Sequence, residues 1–74
     1  MNKISELREK RNQVWNKAKS FLETHRNDSG VMSAEDTATY EAMEQEVVAL
    51  GTAIKQLERQ EAMEREMAAP TSTP

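Results

Sequence analysis

Apolar positions in the first third of the chain recur in alternating steps of three and four. Ile4, Leu7, Arg11, Val14, Ala18, Phe21 and His25 form one such series, a seam of period 3.5 that predicts a helix over about residues 2–26. Asn27-Asp28-Ser29-Gly30 then interrupts the pattern. Glycine suits the left-handed position that closes a helix, and the residues before it favour turns, so a loop is expected over 27–33. Ser33 offers an N-cap hydroxyl with Asp36 three residues on, and Glu35 and Asp36 suit the positive end of a helix dipole. A second helix is therefore expected over about 34–68. Its seam runs through Asp36, Tyr40, Met43, Val47, Leu50, Ile54 and Leu57, again in steps of three and four.

The two seams match when the chain folds back about Gly30. Pairing positions whose numbers sum to 61 sets Ile4 on Leu57, Leu7 on Ile54, Arg11 on Leu50, Val14 on Val47, Ala18 on Met43, Phe21 on Tyr40 and His25 on Asp36. A short connection forces neighbouring helices antiparallel. The expected fold is all-α, an antiparallel two-helix hairpin of the coiled-coil kind. Beyond Leu57 the heptad puts Glu61 and Glu64 on the seam, so helix 2 outruns its partner as a projecting acidic segment of roughly 15 Å. Residues 1–68 form the hairpin. Pro70-Thr71-Ser72-Thr73-Pro74 ends it with the composition of a linker or cleaved end, as if cut from something longer.

Charge divides along the same line. Residues 1–26 carry seven cations against three glutamates, a balance of +4, whereas residues 27–74 carry ten acids against three cations, a balance of −7. The net −3 thus conceals a complementarity that the fold-back would satisfy. At 74 residues with one Trp, one Tyr and one Phe, a deep water-excluding active site is not expected. Cysteine is absent, which excludes disulfides and thiolate zinc sites. No signal-peptide core is evident at the N-terminus, and Val47-Val48-Ala49-Leu50 is too short to span a bilayer.

Nothing in the chain assembles a catalytic constellation. His25 is the single histidine and has neither a nucleophile nor a second ligand nearby in sequence, so a helix-end histidine near Asp36 is the expected role. The glutamates at 41, 44 and 46 and from 58 to 66 read as a solvated face, because a metal cage needs oxygens converging from loops. No metal, cofactor or enzymatic activity is expected. The basic stretch at Arg8, Lys10, Arg11, Lys17 and Lys19 would suit phosphates, yet interleaved glutamates and an acidic second helix favour pairing within the chain. Trp15 and Leu22 lie seven apart beside the seam and form a second apolar stripe that the hairpin leaves partly exposed. Together with Met63 and Met67 on the projecting helix, they are the candidate interface. A core this small predicts association with copies of the chain or with a larger body.

The opening Met1-Asn2-Lys3-Ile4-Ser5-Glu6-Leu7-Arg8-Glu9-Lys10-Arg11, the short polar loop, and Ser33-Ala34-Glu35-Asp36 followed by Tyr40, Met43, Val47, Leu50, Ile54 and Leu57-Glu58-Arg59 resemble the delta domain of tailed-phage major capsid proteins of the Hong Kong 97 type. The resemblance covers residues 1 to about 66. It implies a scaffolding domain that directs coat-subunit assembly inside the procapsid, in the host cytoplasm. It also implies a following shell domain and a maturation protease that removes the scaffold, for which the end at 68–74 would supply the linker. No shell domain follows in this sequence. Two other classes fit the residues: a nucleic-acid-binding coiled-coil arm similar to that of seryl-tRNA synthetases, using the basic face of helix 1, and an adaptor hairpin binding a foreign helix through Trp15 and Leu22.

Overall fold

The computed structural model describes residues 2–68 and contains two helices, α1 (Lys3–His25) and α2 (Ala34–Ala68). Asn2, in extended conformation, caps α1: its Oδ1 accepts from the Ser5 amide at 2.7 Å, satisfying one of the four amides that a helix start leaves without an intrahelical acceptor. At the start of α2 the Ser33 hydroxyl accepts from the Asp36 amide at 3.1 Å, and Glu35 and Asp36 occupy the first turn, where the helix dipole favours them. The expected linker at 69–74 lies outside the described residues.

The loop is organised by Asn27. Its Oδ1 accepts from the Ser29 amide at 3.0 Å, the Ser29 hydroxyl at 2.8 Å and the Val31 amide at 2.9 Å. Its own amide donates to the Val31 carbonyl at 2.8 Å, and its carbonyl accepts from Gly30 at 2.8 Å. Gly30 takes a φ of +83°, the left-handed region that glycine enters without a β-carbon penalty. Its task differs from the one expected, however. Helix α1 already ends at His25, with Arg26 extended behind it, so Gly30 turns the loop and does not close the helix.

Three cross-chain relationships fix the direction and register of the hairpin. Arg8 forms an ion pair with Glu58, the Arg11 side chain lies over Gly51, and Trp15 shares a groove with Val47 and Val48. As the first number rises the second falls, so the helices are antiparallel. Arg11 meets the immediate neighbour of Leu50, the residue on which the heptads set it. The result is an all-α helical hairpin, a rod of 68 × 21 × 16 Å.

Its core is thin. Among the described residues, Ile4, Ala18 and Ile54 are the buried hydrophobic ones, and no polar side chain is buried. Leu7, Arg11, Val14, Phe21, Tyr40, Met43, Val47, Leu50 and Leu57 are half-buried along the seam. Two helices cover each other on one side only, which leaves the edges of every layer open to water. From Arg59 onward every described residue is exposed, which places the end of the paired region at Glu58.

His25 ends α1, as expected, but no hydrogen bond or ion pair joins it to Asp36 among the described residues. Instead it is exposed and stacks on Phe21, with ring centroids 3.9 Å apart and planes 12° from parallel. Its Nδ1 lies 3.0 Å from the Phe21 carbonyl oxygen, which can only accept, so that bond requires a proton on Nδ1. The charge complementarity is also less used than its size suggested. Among the described residues a single ion pair, Arg8 with Glu58, joins the helices, and the other, Lys3 with Glu6 at 3.8 Å, lies within α1.

Candidate association surface

Trp15 stands on the flank of α1, one position past the seam residue Val14. Because the facing residues Val47 and Val48 are short, the indole has no full cover and remains 40% exposed. Beside it runs an open groove of about 560 Å³ lined by Trp15, Glu44, Gln45, Val47, Val48 and Ala49. A smaller one, about 370 Å³, continues along Arg11, Asn12, Trp15 and Val47. Trp15 and Val47 line both, so the indole is the divide of one continuous apolar trough. Lys19, one turn along α1, places Nζ 5.8 Å from the indole centroid, within the range where a cation is attracted to the ring.

The acidic rim is supplied by Glu44. One turn before it, Tyr40 has its pKa held above the ordinary 10.0, first by hydrogen bonding with the Glu44 carboxylate, then by burial, then by that carboxylate's charge. The trough therefore has an apolar floor with a cation on one helix and a carboxylate on the other. It has the character of a contact surface. Among the described residues, no group of three His, Cys, Asp or Glu side chains is arranged to hold a metal ion, and no helix is long and apolar enough to cross a membrane.

The four candidate interface residues do not form one patch. Trp15 lies in the trough; Leu22 is half-buried nearer the loop and lines neither groove. Met63 and Met67 are 53% and 74% exposed on the projecting part of α2. Val48, 68% exposed, completes the trough and was not singled out from the sequence. Its signal was there: it follows the seam residue Val47 directly, and a second apolar residue in that place must lie off the seam.

Compared with known proteins, the chain matches no family model, no curated protein and no solved structure.

Proposed function

We propose that this hairpin is a built-in scaffolding domain of a tailed-phage coat protein of the Hong Kong 97 type, acting inside the procapsid and removed by a maturation protease. The observation that carries the reading is the pairing of a three-residue buried core with an uncovered apolar trough, in a chain whose residues resemble that family's delta domain. Such a module gains order by associating with copies of itself. Tethered to many coat subunits, weak contacts of this kind act at high effective concentration and bias subunit geometry without permanent bonds. The role is non-enzymatic and needs no cofactor.

The test is deletion. A coat protein lacking residues 1–66 should yield a folded shell domain that assembles poorly or into wrong shapes, and the free hairpin added in excess should interfere with assembly of the intact protein. Normal heads from the deleted protein would overturn the scaffolding role. Tight RNA binding by the isolated chain, weakening steeply with salt, would support a basic nucleic-acid arm in its place.

A further inference from the structure

Trp15 and Val48 are the exposed large hydrophobic residues of the paired helices, among those described, and both border the same trough. The opposite face is polar at this level. Gln13, Lys17 and Glu46 each stand two residues from Trp15 or Val48, about 200° around their helix, and so turn away from the trough. Steps of four and seven residues stay on one side of a helix. From Trp15 they reach Arg8, Arg11, Lys19 and Leu22, with no acid among them; from Val48 they reach Glu41 and Glu44 on the loop side and Thr52 and Lys55 on the other. Among the described residues, Lys19 and Glu44 form no ion pair within the chain.

We propose that the trough is closed by the trough of a second copy, about a two-fold axis running along the helices, giving a four-helix bundle with both loops at one end. Two troughs can also be laid face to face about an axis across the helices, but α1 then covers α1 and sets Arg8, Arg11 and Lys19 against the same three cations. With the axis along the helices, α1 of each copy covers α2 of the other, and every neighbouring pair is antiparallel, as in up-down-up-down bundles. Such an axis keeps each residue at its own level. Arg11 lies over Gly51, so residues whose numbers sum to about 62 share a level. Trp15 with Val48 and Lys19 with Glu44 each sum to 63, within about 1.5 Å of that. Each indole therefore meets Val48 of the other copy, and each Lys19 meets the other copy's Glu44. Lys55 comes to the level of Arg8, whose guanidinium is already paired with Glu58 of its own chain. The shared face is about 35 Å long, the length of α1, on a rod 21 Å wide. That is roughly 700 Å² per partner, close to the ~800 Å² of a standard interface. Only the use of this dimer in assembly rests on the scaffolding reading.

Sedimentation equilibrium of the whole chain should show dimers, and Trp15, the only tryptophan, should shift its emission to the blue as concentration rises. Charge reversal tests the facing residues. Lys19→Glu and Glu44→Lys should each weaken dimerisation about ten-fold or more with helicity unchanged, since each sets like charges together at both contacts of the dimer. An equimolar mixture of the two variants should recover the dimerisation of the parent chain, because in the mixed dimer both contacts again join opposite charges. No contact within one chain can produce that recovery. A spin label on Asp28→Cys, in a chain without cysteine of its own, reads the orientation. Loops at one end put the labels roughly 20 Å apart, about two helix spacings, whereas an axis across the helices separates them by at least about 30 Å, twice the rise from Trp15 to His25. A monomer at all concentrations, a mixture that dimerises no better than its components, or labels at the longer distance would each overturn the proposal. Normal heads from the coat protein lacking residues 1–66, beside an intact hairpin dimer, would remove the scaffolding role and leave this contact standing.

Discussion

The Arg11 side chain lies across Gly51 of the facing helix, its Nη1 3.4 Å and its Cδ 4.0 Å from the point where a β-carbon on that glycine would stand. Both the guanidinium and the end of the aliphatic stem thus lie against the partner helix, with the guanidinium the nearer of the two. Glycine opposite it leaves room for the stem.

Glycine inside a helix is less stable than alanine by about 0.5–1 kcal/mol. The methyl group of Gly51→Ala would meet only the flexible end of Arg11 at contact distance. The substitution should therefore raise stability by about 0.5–1 kcal/mol, read as a higher Tm by circular dichroism at fixed protein concentration. A lower Tm would mean that the guanidinium cannot yield. Gly51→Val, larger and β-branched, should reverse the sign by displacing the stem.

Asn27 holds the loop through three bonds to one side-chain oxygen. Asn27→Ala frees these donors to exposed solvent, so the cost should be about 1–2 kcal/mol in urea denaturation, as expected for losing solvent-compensated hydrogen bonds. Gly30→Ala should cost about 1–2 kcal/mol through its positive φ, although the space around it is open. Equal stability in both variants would show that the loop adapts without its acceptor and its glycine.

The hairpin was legible because both seams repeat every 3.5 residues and one loop separates them. Ile4, Ala18 and Ile54, the buried residues, all lie on that repeat, although the repeat does not separate them from the half-buried seam residues between them. The flanks were less legible, because heptad position gives the angle of a side chain but not its reach. Arg8 bonds to Glu58, beyond its own layer, whereas Lys10 and Lys17 form no ion pair among the described residues. Exposed pairs of this kind gain little over hydration, so a charge balance does not predict which bridges form. His25 went to Phe21 for a similar reason. A ring one turn away on the same helix is always within reach, whereas Asp36 would have had to meet it across the chain reversal. Val48 sits beside the seam, and only the position of Trp15 on the other helix makes it part of a trough.

Tyr40 is the single tyrosine, so its ionisation can be followed by phenolate absorbance without overlap. Its pKa is raised from 10.0, meaning that the folded chain holds this proton more tightly than the unfolded chain does. Tyr40 therefore contributes stability that is complete below its ordinary value and is lost as pH climbs through the raised folded value. Glu44→Gln should move the phenolate midpoint back toward 10.0 by removing the carboxylate. Tyr40→Phe should flatten the alkaline loss of helicity relative to the parent chain, a comparison that cancels the lysines. A midpoint in the parent chain at or below that of an unfolded control would contradict the Glu44 contact.

Ala18 is completely buried, whereas its seam neighbours Val14 and Phe21 are only half-buried. A side chain this small can be fully covered between two helices only where their backbones come close, so Ala18 marks a point of close approach on the loop side of the trough. Ala18→Leu would need several methyl and methylene groups in space that α2 already occupies. Overpacking of that kind costs about 1–3 kcal/mol and should splay the helices beside Trp15, exposing the indole and shifting its emission to the red. Ile54→Ala, at a buried site on the opposite end of the paired region, should cost about 2–4 kcal/mol by leaving a cavity, with little effect on Trp15 emission in the chain that remains folded. The two variants thus separate loss of packing from loss of helix spacing. If Ala18→Leu left both Tm and Trp15 emission unchanged, the helices would not be in close approach at Ala18, and the trough would owe its shape to the valines alone.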